Sequence, residues 1–406
     1  MNRLLTIPSP TLDKTFGYLP SPGGLPERGA RRVWYFLFGI ESFGQLVGEV
    51  FWLRNLFAQA GNRFTVITHP PIGRVNRACY DFVMRGMDIR HVPGYRLPKE
   101  PRGILQDQAN IYVLEDAAWL ENNFPAVCGR NPSFYYTLTA EDRDQGHRLL
   151  ARFGIPAGAP LVVLHNRESG WQPLLTYHSY RNADIERYLP AIEYLLRRGY
   201  YVIRLGDKSM KPLPRLSDRL LDMPFHPMYQ PSVDLYATAL CRFFVSVPSG
   251  PLSFAVAFNK PVLWINSPLA SYHWGNPQDL LVPKKYYSRR LKRHLTCAEI
   301  VTSPLIDFIR TEEFTQFEVE LHENTSEEIT KSVEEMEARL DGRDLYSASG
   351  KRVHERFKVI QEMGHRFCQH SRKKFRWYSM IYSQMQLSNA FCLANPWFLE
   401  DGVWMR

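Results

Sequence analysis

The sequence predicts an α/β protein of two layers, each with a parallel sheet, joined by a linker. Three observations carry that prediction: a strand–loop–helix–strand run beginning at Val33, an interruption at Pro156, Gly158 and Pro160, and a cleaner strand–helix rhythm restarting at Leu161. A chain of 406 residues has room for two or three domains. Its 45% hydrophobic content supplies enough apolar material for their cores, which excludes a disordered chain.

Residues 1–32 read as a Pro- and Gly-rich arm. Residues 33–38 are an apolar, β-rich run, 39–44 a Gly-containing loop, 45–60 a helical pattern and 64–68 a second strand. Such a βαβ unit needs a parallel sheet covered by helices, and the loop after its first strand lies where open α/β sheets place ligands. Residues 92–102 read as loop and 111–114 as a short strand. Thr139 opens a helix over 140–153, acidic near its start and followed by Gly154, which completes an expected first domain of residues 33–155.

The expected second domain, residues 156–340, contains strands at 161–164, 200–205, 243–247 and 261–265. Helices are predicted at 185–198, 232–240 and 252–258, and a capping box at Thr325 and Glu328 starts an amphipathic helix over 326–340. Residues 341–406 turn basic and aromatic and are expected to form a helical tail with an adhesive surface, including the run Arg372 to Tyr378.

With 50 Lys and Arg against 41 Asp and Glu, the net charge of +9 points to an anionic partner. Six scattered cysteines without CxxC pairs suit a reducing cytoplasm. No run of about eighteen apolar residues is present, and Pro and Gly break up the N-terminus, so a soluble, unexported protein is expected. The basic stretch from Lys284 to His294 interleaves aromatics with cations. No nucleic-acid-binding module accompanies it, so an anionic membrane surface or anionic substrate is the expected partner, with a solvated loop as the alternative.

The chemistry-bearing residues gather at predicted strand ends. Ser249, Gly250 and Pro251 join a strand to a helix carrying Ser253 in its first turn. A Gly admits close backbone approach and the helix start offers unpaired N–H groups, so this is an anion cradle or an ordinary capping turn. His165, Asn166, Arg167 and Glu168 follow the strand at 161–164: Arg167 can clamp a phosphate and Glu168 can orient it or accept a proton, or the cluster is a surface ion pair leaving the sheet. Arg204, Gly206, Asp207 and Lys208 end the next strand, so Arg167, Arg204 and Lys208 are expected to surround a diphosphate. Tyr180 and Arg181 lie in the intervening loop as cover for the ligand, with an exposed loop charge as the equal alternative for Arg181. Asp234 either holds a sugar hydroxyl or favours its helix dipole. Glu41, Gly44, Gln45 and Glu49 lie in or after the first loop, where a carboxylate would activate an acceptor hydroxyl or simply be solvated. Asp142 and Asp144 have D-x-D spacing but sit at a helix start, so no metal is expected. No GxGxxG after a strand, P-loop, HExxH or GxSxG appears, which removes the usual marks of dinucleotide redox, NTP hydrolysis and serine-hydrolase chemistry.

Taken in order, His165-Asn166-Arg167-Glu168, Tyr180-Arg181-Asn182-Ala183-Asp184, the Gly199 to Gly206 run, Ser249-Gly250-Pro251 with Pro261-Val262-Leu263, and Asn324-Thr325-Ser326-Glu327-Glu328-Ile329 resemble a family of bacterial glycosyltransferase-like proteins associated with surface-polysaccharide synthesis. The likeness spans roughly residues 33–340 and departs at Trp171, where relatives carry a Tyr. It implies a GT-B-like fold, two Rossmann-like domains facing across a cleft, with a nucleoside-diphosphate-sugar donor in the C-terminal domain and a glycan or lipid-linked acceptor in the N-terminal one. It also implies no bound metal or other cofactor, and a cytoplasmic enzyme, optionally peripheral on the inner membrane. Pyruvyl or other group transfer on the same frame, or a non-catalytic glycan-binding subunit, are the alternatives.

Overall fold

The computed structural model describes residues 31–37, 39–57, 61–92, 103–106, 110–114, 132–170, 176–269, 275–343, 345–371 and 383–402. They form two compact units that divide between Tyr135 and Tyr136.

In the first unit, strands β1 (Arg32–Phe36), β2 (Arg63–Thr68), β3 (Asp88–His91), β4 (Gly103–Gln106) and β5 (Asn110–Leu114) lie in the order β3-β2-β1-β5-β4. All neighbours are parallel except the β4–β5 edge pair. Helix α1 (Phe43–Leu56) starts two residues before the expected helix, and nearly every side chain from Leu46 onward is buried, so the unit covers it on all sides. A short helix, α2 (Arg77–Val83), was not foreseen; Asn76 caps it by accepting from Cys79 N at 3.0 Å.

The second unit holds a seven-stranded, wholly parallel sheet. Its strands are β6 (Leu161–His165), β7 (Tyr201–Arg204), β8 (Leu220–Asp222), β9 (Phe243–Ser246), β10 (Val262–Ser267), β11 (Leu280–Pro283) and β15 (Gln386–Leu387), ordered β8-β7-β6-β9-β10-β11-β15. Renumbered within the unit, the first six strands run 3-2-1-4-5-6, the order of dinucleotide-binding folds. Strands β6, β9 and β10 are buried along their whole length, as the apolar runs that flagged them require of a sheet covered on both faces. Both units are therefore Rossmann-like, the composition that a GT-B-like fold requires. A small antiparallel sheet, β13-β12-β14 (Arg293–His294, Lys285–Ser288, Val319–His322), is appended to the second.

Two expectations about boundaries change. Helix α3 (Ala140–Ala151), expected to close the first domain, packs instead on α5 (Ser232–Leu240) of the second unit. Gly146 makes that approach close: a Cβ there would lie 2.8 Å from the Tyr236 ring. The Pro- and Gly-rich stretch at 156–160 is thus a helix-to-strand link within one unit. Nor are residues 341–406 a mere tail, since β15 extends the large sheet and α10 (Ser347–His370) packs on α7 (Cys297–Val301). The run Arg372 to Tyr378 lies outside the described residues. Among the described residues, no helix is long and apolar enough to cross a membrane.

Candidate functional site

The strand order of the second unit reverses between β6 and β9, and ligands of open α/β sheets bind outside the carboxyl ends of the strands at such a point. His165 ends β6, and Ser249 precedes helix α6 (Gly250–Ala257) just beyond β9. The two meet: His165 Nε2 lies 3.0 Å from Ser249 Oγ, and His165 Nδ1 lies 3.1 Å from the Leu205 carbonyl oxygen. Ser249 occupies the N-cap position, but its side chain makes no capping bond to the helix. Its hydroxyl faces His165 instead, which separates it from an ordinary capping turn. Pro251 takes an early position where a missing N–H costs nothing, and Ser253 is half-buried in the same first turn.

The loop Thr176 to Asp184 folds over this strand end and accounts for the Arg-Asn-Ala-Asp sequence. Arg181 reaches the Pro248 carbonyl at 3.5 Å. Asn182 is gripped twice, its side-chain oxygen by Arg167 and its backbone carbonyl by Lys284 Nζ at 2.6 Å. Ala183 accepts from Asn166 Nδ2 at 2.7 Å and donates to the Arg167 carbonyl at 3.1 Å. Asp184 donates its N–H to Glu323 at 2.9 Å. Asn166 is wholly buried, and its Oδ1 has no partner among the described residues. Tyr180 is buried against Phe314, and the Arg181 guanidinium lies 5.8 Å from its ring centroid.

Among the described residues, Arg167 donates to the carbonyl oxygens of His178 and Asn182 and makes no ion pair. Burial and the nearby Arg181 cation lower its pKa to about 10. His178 is pushed down to about 4 by burial and then by Arg181 and Arg167. Burial together with neighbouring cations causes both shifts. His165 is likewise held at about 4, by burial first; the Leu205 carbonyl opposes that shift while Arg204 and Arg167 add to it.

The expected trio of Arg167, Arg204 and Lys208 does not assemble. Arg204 has no exposed surface and is bound by Glu168 at 2.9 Å, Asp222 at 3.3 Å and the Lys211 carbonyl at 2.6 Å. A buried guanidinium requires such partners, so its charge is spent inside the sheet edge. Glu168 is committed in the same cluster, its second oxygen accepting from Lys211 N at 2.7 Å, and is not placed as a base. Lys208 is exposed. Gly206 is at φ 156° with Met210 beneath it, and Asp207 accepts from Ser209 N at 2.8 Å, so both shape the turn after β7. Asp234 accepts from Tyr229 at 2.9 Å in the first turn of α5.

In the first unit, Glu49 is buried on α1 and accepts from the Tyr35 hydroxyl, so it is a core group rather than a surface base. Glu41 is half-exposed and lies 3.3 Å from His69 Nε2. Gly44 and Gln45 begin α1, and the Gln45 side chain folds over Gly39. Asp142, of the D-x-D pattern, closes a capping box with Thr139. Half of the Lys and Arg in the basic stretch are paired within the protein, Lys285 with Glu328, Arg289 with Glu320 and Arg293 with Glu299; Lys284 is buried and donates to the Asn182 carbonyl, and Arg290 and Lys292 are exposed. Trp171 lies outside the described residues.

No family profile and no curated protein matches this chain. Among solved structures, it is similar to a glycosyl transferase family 9 protein from Veillonella parvula (12% identity over 61% of this chain and 82% of that one, TM-score 0.35). It is similar to the E. coli heptosyltransferase WaaC with ADP (12% identity, 62% and 91% of the chains, TM-score 0.32). It is also similar to TibC, an iron-containing dodecameric glycosyltransferase from enterotoxigenic E. coli (16% identity, 60% of each chain, TM-score 0.34).

Proposed function

We propose that the protein is a glycosyltransferase that holds a nucleoside-diphosphate-sugar at the β6–β9 switch point and passes the sugar to a glycan or lipid-linked acceptor of the cell surface. The observation that carries this reading is the His165–Ser249 contact, which joins the two strand ends flanking the switch point beside Arg167 and Arg181. The resemblance of the same sequence segments to surface-polysaccharide glycosyltransferases supports it. Charge grows on the diphosphate as the glycosidic bond breaks. Arg167, Arg181 and the N–H groups of the α6 start would stabilise that charge without a metal ion. Glu168 and Glu49 are both engaged in structure, Glu168 with Arg204 and Lys211 N and Glu49 with the Tyr35 hydroxyl, so neither is proposed as the base.

The test is a thermal-shift panel of nucleoside-diphosphate-sugars together with phosphoenolpyruvate. A cognate donor at a hundred times its Kd adds about 2.7 kcal/mol to stability. Stabilisation by one sugar nucleotide, lost in Arg167→Ala, is expected. Stabilisation by phosphoenolpyruvate alone would assign pyruvyl transfer, and a sugar nucleotide that stabilises wild type and Arg167→Ala equally would remove the site proposed.

A further inference from the structure

We propose that a phosphate group arriving at the start of α6 places a proton on His165, reversing the His165–Ser249 hydrogen bond so that the serine hydroxyl turns to the ligand. The inference rests on the donor reading above and adds how that site accepts the incoming charge.

The Leu205 carbonyl can only accept. His165 Nδ1, at 3.1 Å from it, therefore carries a hydrogen. In the neutral ring, Nε2 is then a bare lone pair, and Ser249 Oγ at 3.0 Å must donate to it. The serine's one hydrogen is committed to the interior, and Ser249 presents only lone pairs to the site. Phosphate oxygens are acceptors too, so ligand and serine would meet acceptor to acceptor.

Two rearrangements relieve this. The hydroxyl can rotate to the ligand, leaving Nε2 unpaired on a residue only 4% exposed. A buried acceptor without a partner is costly. Alternatively, Nε2 takes a proton from solvent: the imidazolium then donates to both Leu205 and Ser249, and Ser249 donates onward to the phosphate. The second route leaves every group paired and sets a cation behind the anion. The one covalent change is the new Nε2–H bond, whose proton leaves a solvent or buffer donor as its own bond to hydrogen breaks.

The charged groups around the ring explain why it waits for the ligand. Arg204 on β7 and Arg167 beyond β6 oppose a charge on His165, whereas Asp207 in the turn after β7 favours one. Burial outweighs Asp207 and keeps the ring neutral at about 4. Arg204 is already matched by Glu168 and Asp222, so the negative charge that would tip His165 has to come from outside the protein.

Calorimetric titration with ADP, GDP, CDP, UDP and dTDP, each in buffers of differing ionisation enthalpy near pH 7, measures the protons taken up on binding. Wild type should take up more than Ser249→Ala or His165→Asn does. Its affinity relative to those variants should climb, by up to about tenfold per pH unit lowered, for one linked proton. The ligand's own phosphate titration is common to all three proteins and cancels in the comparison. Should His165→Asn not fold, Ser249→Ala breaks the same relay at a half-buried position and keeps the imidazole. A merely structural serine would change affinity without changing proton count or pH profile. Binding with equal proton uptake in wild type and Ser249→Ala overturns the inference alone. No binding by any of the five diphosphates overturns the donor reading and this inference with it.

Discussion

Glu168→Ala separates a strut from a base. In the structure, Glu168 gives one oxygen to the fully buried Arg204 at 2.9 Å and the other to Lys211 N at 2.7 Å. Asp222 remains as the second carboxylate, but at 3.3 to 3.4 Å and already shared with Leu213 N. Removing Glu168 therefore leaves a buried guanidinium with half its countercharge and orphans one backbone donor. Breaking a buried pair on one side costs about 3–5 kcal/mol, and the surviving Asp222 argues for the lower end, about 3 kcal/mol. For the unit of residues 136–406 that corresponds to a fall in melting temperature of about 5 °C. Differential scanning calorimetry measures the loss, and transfer assayed well below the new melting point shows what chemistry survives. The expected result is a destabilised protein that still turns over. A variant that melts like wild type and transfers nothing would show that Glu168 acts on the reacting groups and that the Arg204 cluster has been misread.

Arg167→Ala should lower turnover about a hundredfold or more, the scale for losing one donor to developing charge, with little change in melting; unchanged turnover would exclude Arg167 from the site. Lys284→Met tests the buried ammonium. Burial lowers its pKa from about 10.5 to about 8, so across that window the unfolded chain binds more protons than the folded one, and wild type gains stability as pH rises. Urea midpoints of wild type should rise relative to Lys284→Met between those two pH values, and parallel profiles would contradict the assignment. Glu335→Ala should cost about 2–4 kcal/mol in chemical denaturation. Its buried carboxylate accepts from Ser388 Oγ, Asn389 N, Asn389 Nδ2 and Ala390 N, all at 2.7–3.0 Å, and so holds the start of helix α11 (Asn389–Ala394).

What the sequence could convey about this site depends on how far apart the partners lie along the chain. The strands of the second unit announce themselves because a parallel sheet covered on both faces demands short, unbroken apolar runs, and residues 161–164 and 262–265 are such runs. Helix Ser326–Leu340 is legible for a similar reason, since its cap lies within four residues. The link at 156–160 misleads because Pro and Gly mark any break in regular structure, within a unit as well as between units. Gly146 against Tyr236, which ties the preceding helix to the second unit, is a contact that no local pattern expresses.

The same limit applies to the cations. Arg167, Arg204 and Lys208 look alike at the ends of strands, yet Arg204 meets Glu168 and Asp222, which lie 36 and 18 residues away. Those contacts follow from β6, β7 and β8 being neighbours, which the strand order decides and the local sequence does not. Arg181 reads as a loop charge until the loop folds back to Pro248, and His165 and Ser249 are 84 residues apart. A cation closing a parallel strand is thus a ligand candidate only if the adjoining strands bring no carboxylate to it. Here the strand order satisfies that condition for Arg167 and denies it to Arg204, and this difference places the proposed diphosphate on the β9 side of β6 rather than over β7.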